Sequence, residues 1–274
     1  MTPRRLGVIG WPVAHSRSPA MHNAGLAALG MTEWRYQLLP VPPERFAETV
    51  RALPDAGFAG ANVTIPHKHA ALALADTATE SARAIGAANT LIFAPEGAIA
   101  AQNTDAPGFL AALGVCPRGM SALVLGAGGS ARAVVWALRE AGAREVSVWN
   151  RTPERALALA RDFGARAAPL PEAADLLVNC TSVGLESQPA NLKQSATEPQ
   201  ALNLPAVTLD QVGDYAHVID LVYSSAPTPL LAAARARGAH TVGGLEILLA
   251  QGALSFELWT GRPAPLQAMR RALG

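Results

Sequence analysis

The run Leu123-Val-Leu-Gly-Ala-Gly-Gly-Ser-Ala-Arg-Ala133 limits what this chain can fold into more than any other stretch. Ala122 to Leu125 reads as a short buried strand, Gly126 breaks it, and an apolar helical pattern follows from Ser130 to Ala141. The glycines fall as Gly126-x-Gly128-x-x-Ala131, the spacing of a dinucleotide-binding turn with alanine in the third place. Each position has a physical task. Gly126 permits the tight turn, Gly128 lets backbone approach a pyrophosphate, and a small residue at 131 lets helix and strand pack closely. The helix N-terminus then offers unpaired N–H groups and a partial positive charge to phosphates.

Residues downstream refine the ligand. A second strand, Glu145 to Trp149, ends at Asn150-Arg151-Thr152, with Arg155 four residues beyond Arg151. A site for NAD usually carries Asp or Glu here to bind the ribose 2′-hydroxyl. Arginine instead suits a 2′-phosphate, because a guanidinium pairs with it through two parallel hydrogen bonds. NADP(H) is the cofactor this pattern selects. The competing reading, solvated charges at a helix start, stands beside it.

At 274 residues the chain has room for two modest domains, and 50% hydrophobic residues exclude wholesale disorder. Net charge is +1 with no basic run, so neither nucleic acid nor an acidic membrane is an expected partner. Cys116 and Cys180 form no CxxC pair, and Met-Thr-Pro-Arg-Arg leads straight into a strand. No signal peptide or long apolar span is read, so the expected location is the cytoplasm. The six histidines show no metal spacing; His67 and His69 read as surface residues, and no metal is expected.

Taken in order, Leu6–Gly10 reads as a buried strand and Ser18-Pro19 as a helix start running to Leu29. Ser18 reads as a cap or, with Ser16 and His15, as a polyol-binding lip. Strands follow at Arg35–Leu39 and Ala61–Ile65, with helices from Pro43 and Pro66. Asn62, Thr64 and Lys68 gather near one strand end. Lysine is rarely buried without a partner, so Lys68 is either surface or paired. Thr77-x-x-Glu80 matches a capping box. Asn89 and Asp105 lie at strand ends, and Asp105 is placed to cap the helix from Ala106, compatibly with a catalytic role. The stretch Gly114–Gly119 reads as a crossing between domains. Beyond a strand at Asp175–Asn179, a polar excursion runs from Glu186 to Gln211 and reads as surface. A strand from His217 ends on Tyr223, and helices from Leu245 to Leu258 and Leu266 to Leu273 close the chain. Alternating short strands and helices indicate an α/β fold with parallel sheets.

The order of motifs resembles the shikimate dehydrogenase family over nearly the full length. They stand here as Gly10-x-Pro12-x-x-His15-Ser-x-Ser-Pro-x-Met-His-Asn23, Asn62-Val-Thr-x-Pro-x-Lys68, Gly86-Ala-x-Asn-Thr90 and Asn103-Thr-Asp105. The second half adds the Gly126 turn, Asn150-Arg-Thr152, Asp220-Leu-Val-Tyr223 and a helix carrying Gln251. The resemblance implies two domains: a three-layer α/β substrate domain, residues 1–104 plus 244–274, and a Rossmann-like NADP-binding domain with a parallel sheet, residues 105–243. It also implies NADPH-dependent, reversible reduction of 3-dehydroshikimate to shikimate, in the route to aromatic amino acids, by a monomer or homodimer. Lys68 and Asp105 would be catalytic. Ser16 and Ser18 would bind the substrate carboxylate with Tyr223 nearby, and Asn62, Thr64, Asn89 and Gln251 the ring hydroxyls, together with Lys68 and Asp105. Gly126, Ala127, Gly128, Gly129 and Ser130 would hold the pyrophosphate, and Asn150, Arg151, Thr152 and Arg155 the 2′-phosphate. Thr181, Leu221 and Gly244 complete the cofactor set, the last two at the nicotinamide end.

Two departures are small. Ile247 stands where the family often has Met, and the excursion after Gly184 is long. Rival readings are a quinate or dual-specificity dehydrogenase, a reductase of another small hydroxy acid, and a non-catalytic NADP-binding regulator. Both Lys68 and Asp105 are present, against the regulator.

Overall fold

Leu6, Val8 and Ile9 are 0–3% exposed, so the first strand is covered on both faces and sits centrally in its sheet. The computed structural model describes residues 4–181, 207, 211–223 and 226–274. It divides into two compact units, Met1–Phe109 with Leu248–Gly274, and Leu110–Ile247.

In the first unit the strands are β1 (Arg4–Gly10), β2 (Trp34–Pro40), β3 (Phe58–Val63), β4 (Thr77–Ala78), β5 (Thr90–Phe93) and β6 (Ile99–Gln102). They lie in the order β2-β1-β3-β5-β6-β4. The sheet is mixed rather than parallel throughout: β5 runs antiparallel to both β3 and β6. The reason is local. Ala94 N donates to Ala98 O at 2.9 Å across a tight turn, which leaves no chain for a crossover helix between β5 and β6.

The helices of this unit are α1 (Ser18–Ala28), α2 (Phe46–Ala52), α3 (Lys68–Leu74) and α4 (Glu80–Ile85). It also takes most of α5 (Asp105–Leu113), and the division of the chain falls inside that helix. Ile9, Phe46, Val50, Val63, Ala71 and Leu91 pack into one cluster, while Leu6, Val8, Tyr36 and Trp259 pack into another. Period-two alternation along β1 sends its neighbours to opposite faces, giving helix, sheet and helix layers.

Several local expectations are corrected here. Ser18 makes no cap bond; it is buried in the first turn, and Ser16 Oγ accepts from Ser18 N at 3.3 Å. Thr79, not Thr77, caps α4, accepting from Ala82 N, because Thr77 is committed to β4. Asn103 Oδ1 takes the capping bond from Ala106 N at 3.1 Å, which leaves the Asp105 carboxylate for other partners. His67 is buried, stacked on Phe46 and bonded to Val41 O at 2.7 Å, so only His69 of the two is exposed.

The Met-His-Asn23 run serves α1 packing. Asn23 exchanges two 2.9 Å bonds with the Tyr36 backbone, and the His22 ring stacks on Tyr36 at 4.3 Å. His22 is fully buried, and among the described residues neither of its ring nitrogens has a hydrogen-bond partner. Burial pushes its pKa down to about 3, with the nearby Asn62 side chain opposing the shift.

The second unit holds β7 (Ser121–Leu125), β8 (Glu145–Trp149), β9 (Arg166–Ala167), β10 (Leu176–Asn179), β11 (His217–Asp220) and β12 (His240–Val242). All pair in parallel, in the order β12-β11-β10-β7-β8-β9. Chain order reverses between β7 and β10, the switch point where open α/β sheets bind ligands beyond their carboxyl ends. Helices α6 (Gly129–Glu140), α7 (Pro153–Phe163) and α8 (Pro229–Ala236) accompany the sheet. The strand expected to reach Tyr223 stops at Asp220, whose side chain turns to local partners. The excursion read over Glu186–Gln211 lies outside the described residues except for Val207, which is buried, and Gln211.

Helix α9 (Gly244–Thr260) begins in this unit and continues in the first, followed there by α10 (Leu266–Arg271). Among the described residues no helix is long and apolar enough to cross a membrane.

Candidate active site

Lys68 opens α3 directly after β3 and its Thr64-Ile-Pro-His67 turn, and only 8% of it is exposed. An ammonium held there needs a partner, and it has one: Nζ lies 2.6 Å from Asp105 Oδ2. The other carboxylate oxygen accepts from Asn89 Nδ2 at 2.8 Å. Asn89 in turn is fixed from behind, since its Oδ1 accepts the Thr104 backbone N–H at 2.7 Å. That bond decides the amide's orientation and aims its NH2 at Asp105, Thr104 Oγ1 and Gln251 Oε1. Gln251, on α9, is also buried, and its Nε2 donates to Leu248 O at 2.9 Å.

Asn62 lies deeper. Tyr36 OH donates to its Oδ1 at 2.7 Å, and its Nδ2 reaches Asn89 O, Thr90 Oγ1 and Ser255 Oγ within 3.0–3.2 Å. Its amide is therefore engaged within the protein on both sides. Thr90, Thr104 and Ser255 interlink behind Asn89 at 2.9–3.2 Å. Sequence reasoning gave these three no role; each is a short hydroxyl near a motif amide, a signal visible only once the elements are paired.

Ser16 and Ser18 lie in and after the loop following β1. That loop is tied to the Lys68 turn by Trp11 N donating to Ile65 O at 3.0 Å. Thr64 is half-buried in the same turn, its backbone N–H bonded to Ile9 O at 2.8 Å. One end of the first sheet thus gathers Lys68, Asp105, Asn89 and Gln251 by contact, with Thr64 and the serine loop tied in through backbone.

In the second unit the expected cofactor residues fall at the carboxyl ends of the strands. Gly126 has φ +106°, outside the reach of ordinary side chains. A Cβ there would also sit 3.1 Å from the Cys180 carbonyl carbon. Glycine at 126 therefore allows the β7 turn and the Cys180–Thr181 backbone to lie together. A Cβ on Gly128 would meet nothing within 4 Å, so the backbone here faces open space that a phosphate group could approach. Gly129 and Ser130 open α6, whose preceding residue Gly128 uses no side-chain cap. The N-terminus of this twelve-residue helix brings backbone N–H groups and a partial positive charge to the turn, which suits a pyrophosphate. Ala127 completes the turn.

At the end of β8, Arg151, Thr152 and Arg155 are exposed, and Asn150 Nδ2 donates to Thr152 O at 2.9 Å. Leu221 and Tyr223 follow β11. A Cβ on Gly244 would strike Leu221 O at 2.5 Å, so α9 begins hard against that backbone. This donor set fits a phosphorylated dinucleotide.

A parallel sheet with its reversal point at a glycine turn, in a chain whose other α/β unit bears a braced lysine–carboxylate pair, defines a protein of the nicotinamide-dependent dehydrogenase class. Comparison with known proteins narrows this. Family models match residues 8–91 (shikimate dehydrogenase substrate binding domain), 114–183 (shikimate / quinate 5-dehydrogenase) and 244–273 (shikimate 5'-dehydrogenase C-terminal domain). The chain is 50% identical to a shikimate dehydrogenase (NADP(+)) of Methylobacterium radiotolerans, over 96% of this chain and 93% of that one. The crystal structure of a shikimate 5-dehydrogenase from Thermus thermophilus in complex with NADP(H) and shikimate aligns with TM-score 0.85 at 44% identity. It covers 100% of this chain and 98% of that one. A ligand-free 5-ketofructose reductase of a Gluconobacter strain aligns with TM-score 0.82 at 31% identity, covering 100% and 98%. The chain belongs to the shikimate dehydrogenase family.

Proposed function

We propose that this protein catalyses the reversible, NADP-dependent reduction of 3-dehydroshikimate to shikimate, within aromatic amino acid biosynthesis. The observation that carries the reading is the buried Lys68–Asp105 pair, 2.6 Å apart, with Asn89 holding the far carboxylate oxygen. The first unit takes the substrate and the second the cofactor. It acts in the cytoplasm, as a monomer or homodimer.

Held by the Gly126 turn and the strand ends of the second unit, NADPH would supply the hydride for the ketone carbon. As the carbonyl π pair moves onto oxygen, Lys68 Nζ donates a proton there and recovers one from water. Asp105 orients Nζ and balances its charge without itself transferring a proton. Asn89 and Gln251 fix the ring hydroxyls, with Thr64 beside them. Ser16 and Ser18 meet the substrate carboxylate, with Tyr223 nearby. Asn62 joins this hydroxyl-binding set, and its amide, bonded to Tyr36, Thr90 and Ser255, also braces the Asn89 backbone carbonyl. Gly126, Ala127, Gly128, Gly129 and Ser130 receive the pyrophosphate. Asn150, Arg151, Thr152 and Arg155 receive the 2′-phosphate, Leu221 and Gly244 the nicotinamide end, and Thr181 completes the cofactor set.

Lys68→Ala tests the assignment. Loss of a general acid lowers turnover by about 10²–10⁴-fold, while NADPH affinity, read by fluorescence titration, stays unchanged. Turnover equal to wild type removes Lys68 from the chemistry.

A further inference from the structure

Asp220 is a buried titratable group that this mechanism leaves unused. It closes β11 with 2% exposure, and its carboxylate accepts three hydrogen bonds. Oδ1 takes Asn179 Nδ2 at 2.8 Å and the Val222 backbone N–H at 3.1 Å, and Oδ2 takes Thr228 Oγ1 at 2.6 Å. Burial pushes its pKa up, and these same donors pull it back.

The donors come from separate stretches of chain. Asn179 is the register partner of Asp220 on β10, and its Oδ1 accepts from both N and Oγ1 of Thr181, at 3.1 and 2.8 Å. The backbone of Cys180 and Thr181 is also what a side chain on Gly126 would strike. Val222 belongs to the shelf on which Gly244 rests, where a Cβ would meet Leu221 O and Val222 O at 2.5 and 2.7 Å. Thr228 caps α8. One carboxylate therefore ties the glycine turn's neighbour, the Leu221–Gly244 shelf and α8 into a single frame. In a low-dielectric site such a network holds geometry well when complete and poorly when one member is lost.

We infer that Asp220 is a positioning residue for the cofactor, fixing Thr181 relative to the Leu221–Gly244 shelf without touching the dinucleotide. This rests on the placement of NADP(H) in the second unit proposed above. Its role is in binding rather than chemistry, because the proton-transfer pair lies on other elements of the chain.

The test compares Asp220→Ala and Asp220→Asn in the full chain, with circular dichroism to establish folding. The NADPH dissociation constant is read by fluorescence, beside KM for NADP⁺, KM for shikimate and kcat. Leaving buried donors unpaired is expected to weaken NADPH binding by about tenfold or more in Asp220→Ala. Shikimate KM and kcat at saturating cofactor stay near wild type. Asp220→Asn keeps an acceptor at Oδ1 and recovers most of the affinity. A folded Asp220→Ala with wild-type NADPH affinity overturns the inference, as does a loss spread equally over kcat and shikimate KM. Should the alanine variant not fold, Thr228→Val against Thr228→Ser repeats the comparison: Val removes the donor to Oδ2 and Ser restores it. Equal affinities in those two overturn it. Wild-type protein that binds no NADPH contradicts the functional reading itself rather than the bracing.

Discussion

Around Lys68, the side chains of Asp105, Asn89, Thr104 and Gln251 bond to one another, and Asn62, Thr90 and Ser255 bond behind them. At the end of β8, Arg151, Thr152 and Arg155 stand exposed, beside the bond from Asn150 to the Thr152 carbonyl. Two kinds of site follow from that difference. The first is preorganised by mutual hydrogen bonds, so deleting one member releases others into a buried space. The second is shaped by backbone, the Gly126 turn and the strand ends, with arginines added as independent, salt-screened charges. Single changes should therefore propagate around Lys68 and act locally at the end of β8.

The largest expected effect sharpens this contrast. Asp105→Asn leaves Lys68 buried without its counter-charge and is expected to lower kcat by about 10²-fold, with KM for NADP⁺ unaffected. A fall shared equally by both parameters would mean that the bracing around Asp105 extends to cofactor binding.

Arg151→Ala should be milder and confined. Loss of an exposed charged contact to a 2′-phosphate is expected to raise KM for NADP⁺ by about tenfold, to leave KM for NAD⁺ unchanged, and to matter less at high salt. An equal change for both nucleotides would take Arg151 off the 2′-phosphate.

The last effect concerns stability. His22 is neutral in the folded protein down to about pH 3, whereas its ordinary value is 6.5. Its contribution is fully present above 6.5 and is lost as pH falls from 6.5 towards 3, because the unfolded chain takes up the proton first. Stability therefore falls with pH across that window. Chemical denaturation of wild type against His22→Phe, from pH 7 downwards, should show the shallower fall in the variant. Parallel curves would mean that His22 does not set the slope.

What could be read from residues alone follows the same contrast. The Gly126 turn, β8 and Arg151 are contiguous motifs whose physics is local, and they lie where spacing puts them. Caps were less legible, since a small shift of the helix start transfers the role from Asp105 to Asn103 or from Thr77 to Thr79. The polar frame behind Asn89 was not legible at all: Asn62 and Ser255 meet across 193 residues of chain. Asp220 left a faint signal, a carboxylate closing an apolar strand, with Asn179 closing the neighbouring strand in the same way. Reading that pair requires knowing that the two strands lie side by side.

The most direct test of the account is a rate matrix on purified protein, pairing shikimate and quinate each with NADP⁺ and NAD⁺ and following reduced-cofactor absorbance. Shikimate with NADP⁺ is expected to dominate the other three combinations. Turnover with quinate or NAD⁺ that matches or exceeds it would contradict the specificity assigned to the serine loop and Arg151. Absence of turnover in all four, with NADPH still bound, would contradict the catalytic role of Lys68 and Asp105.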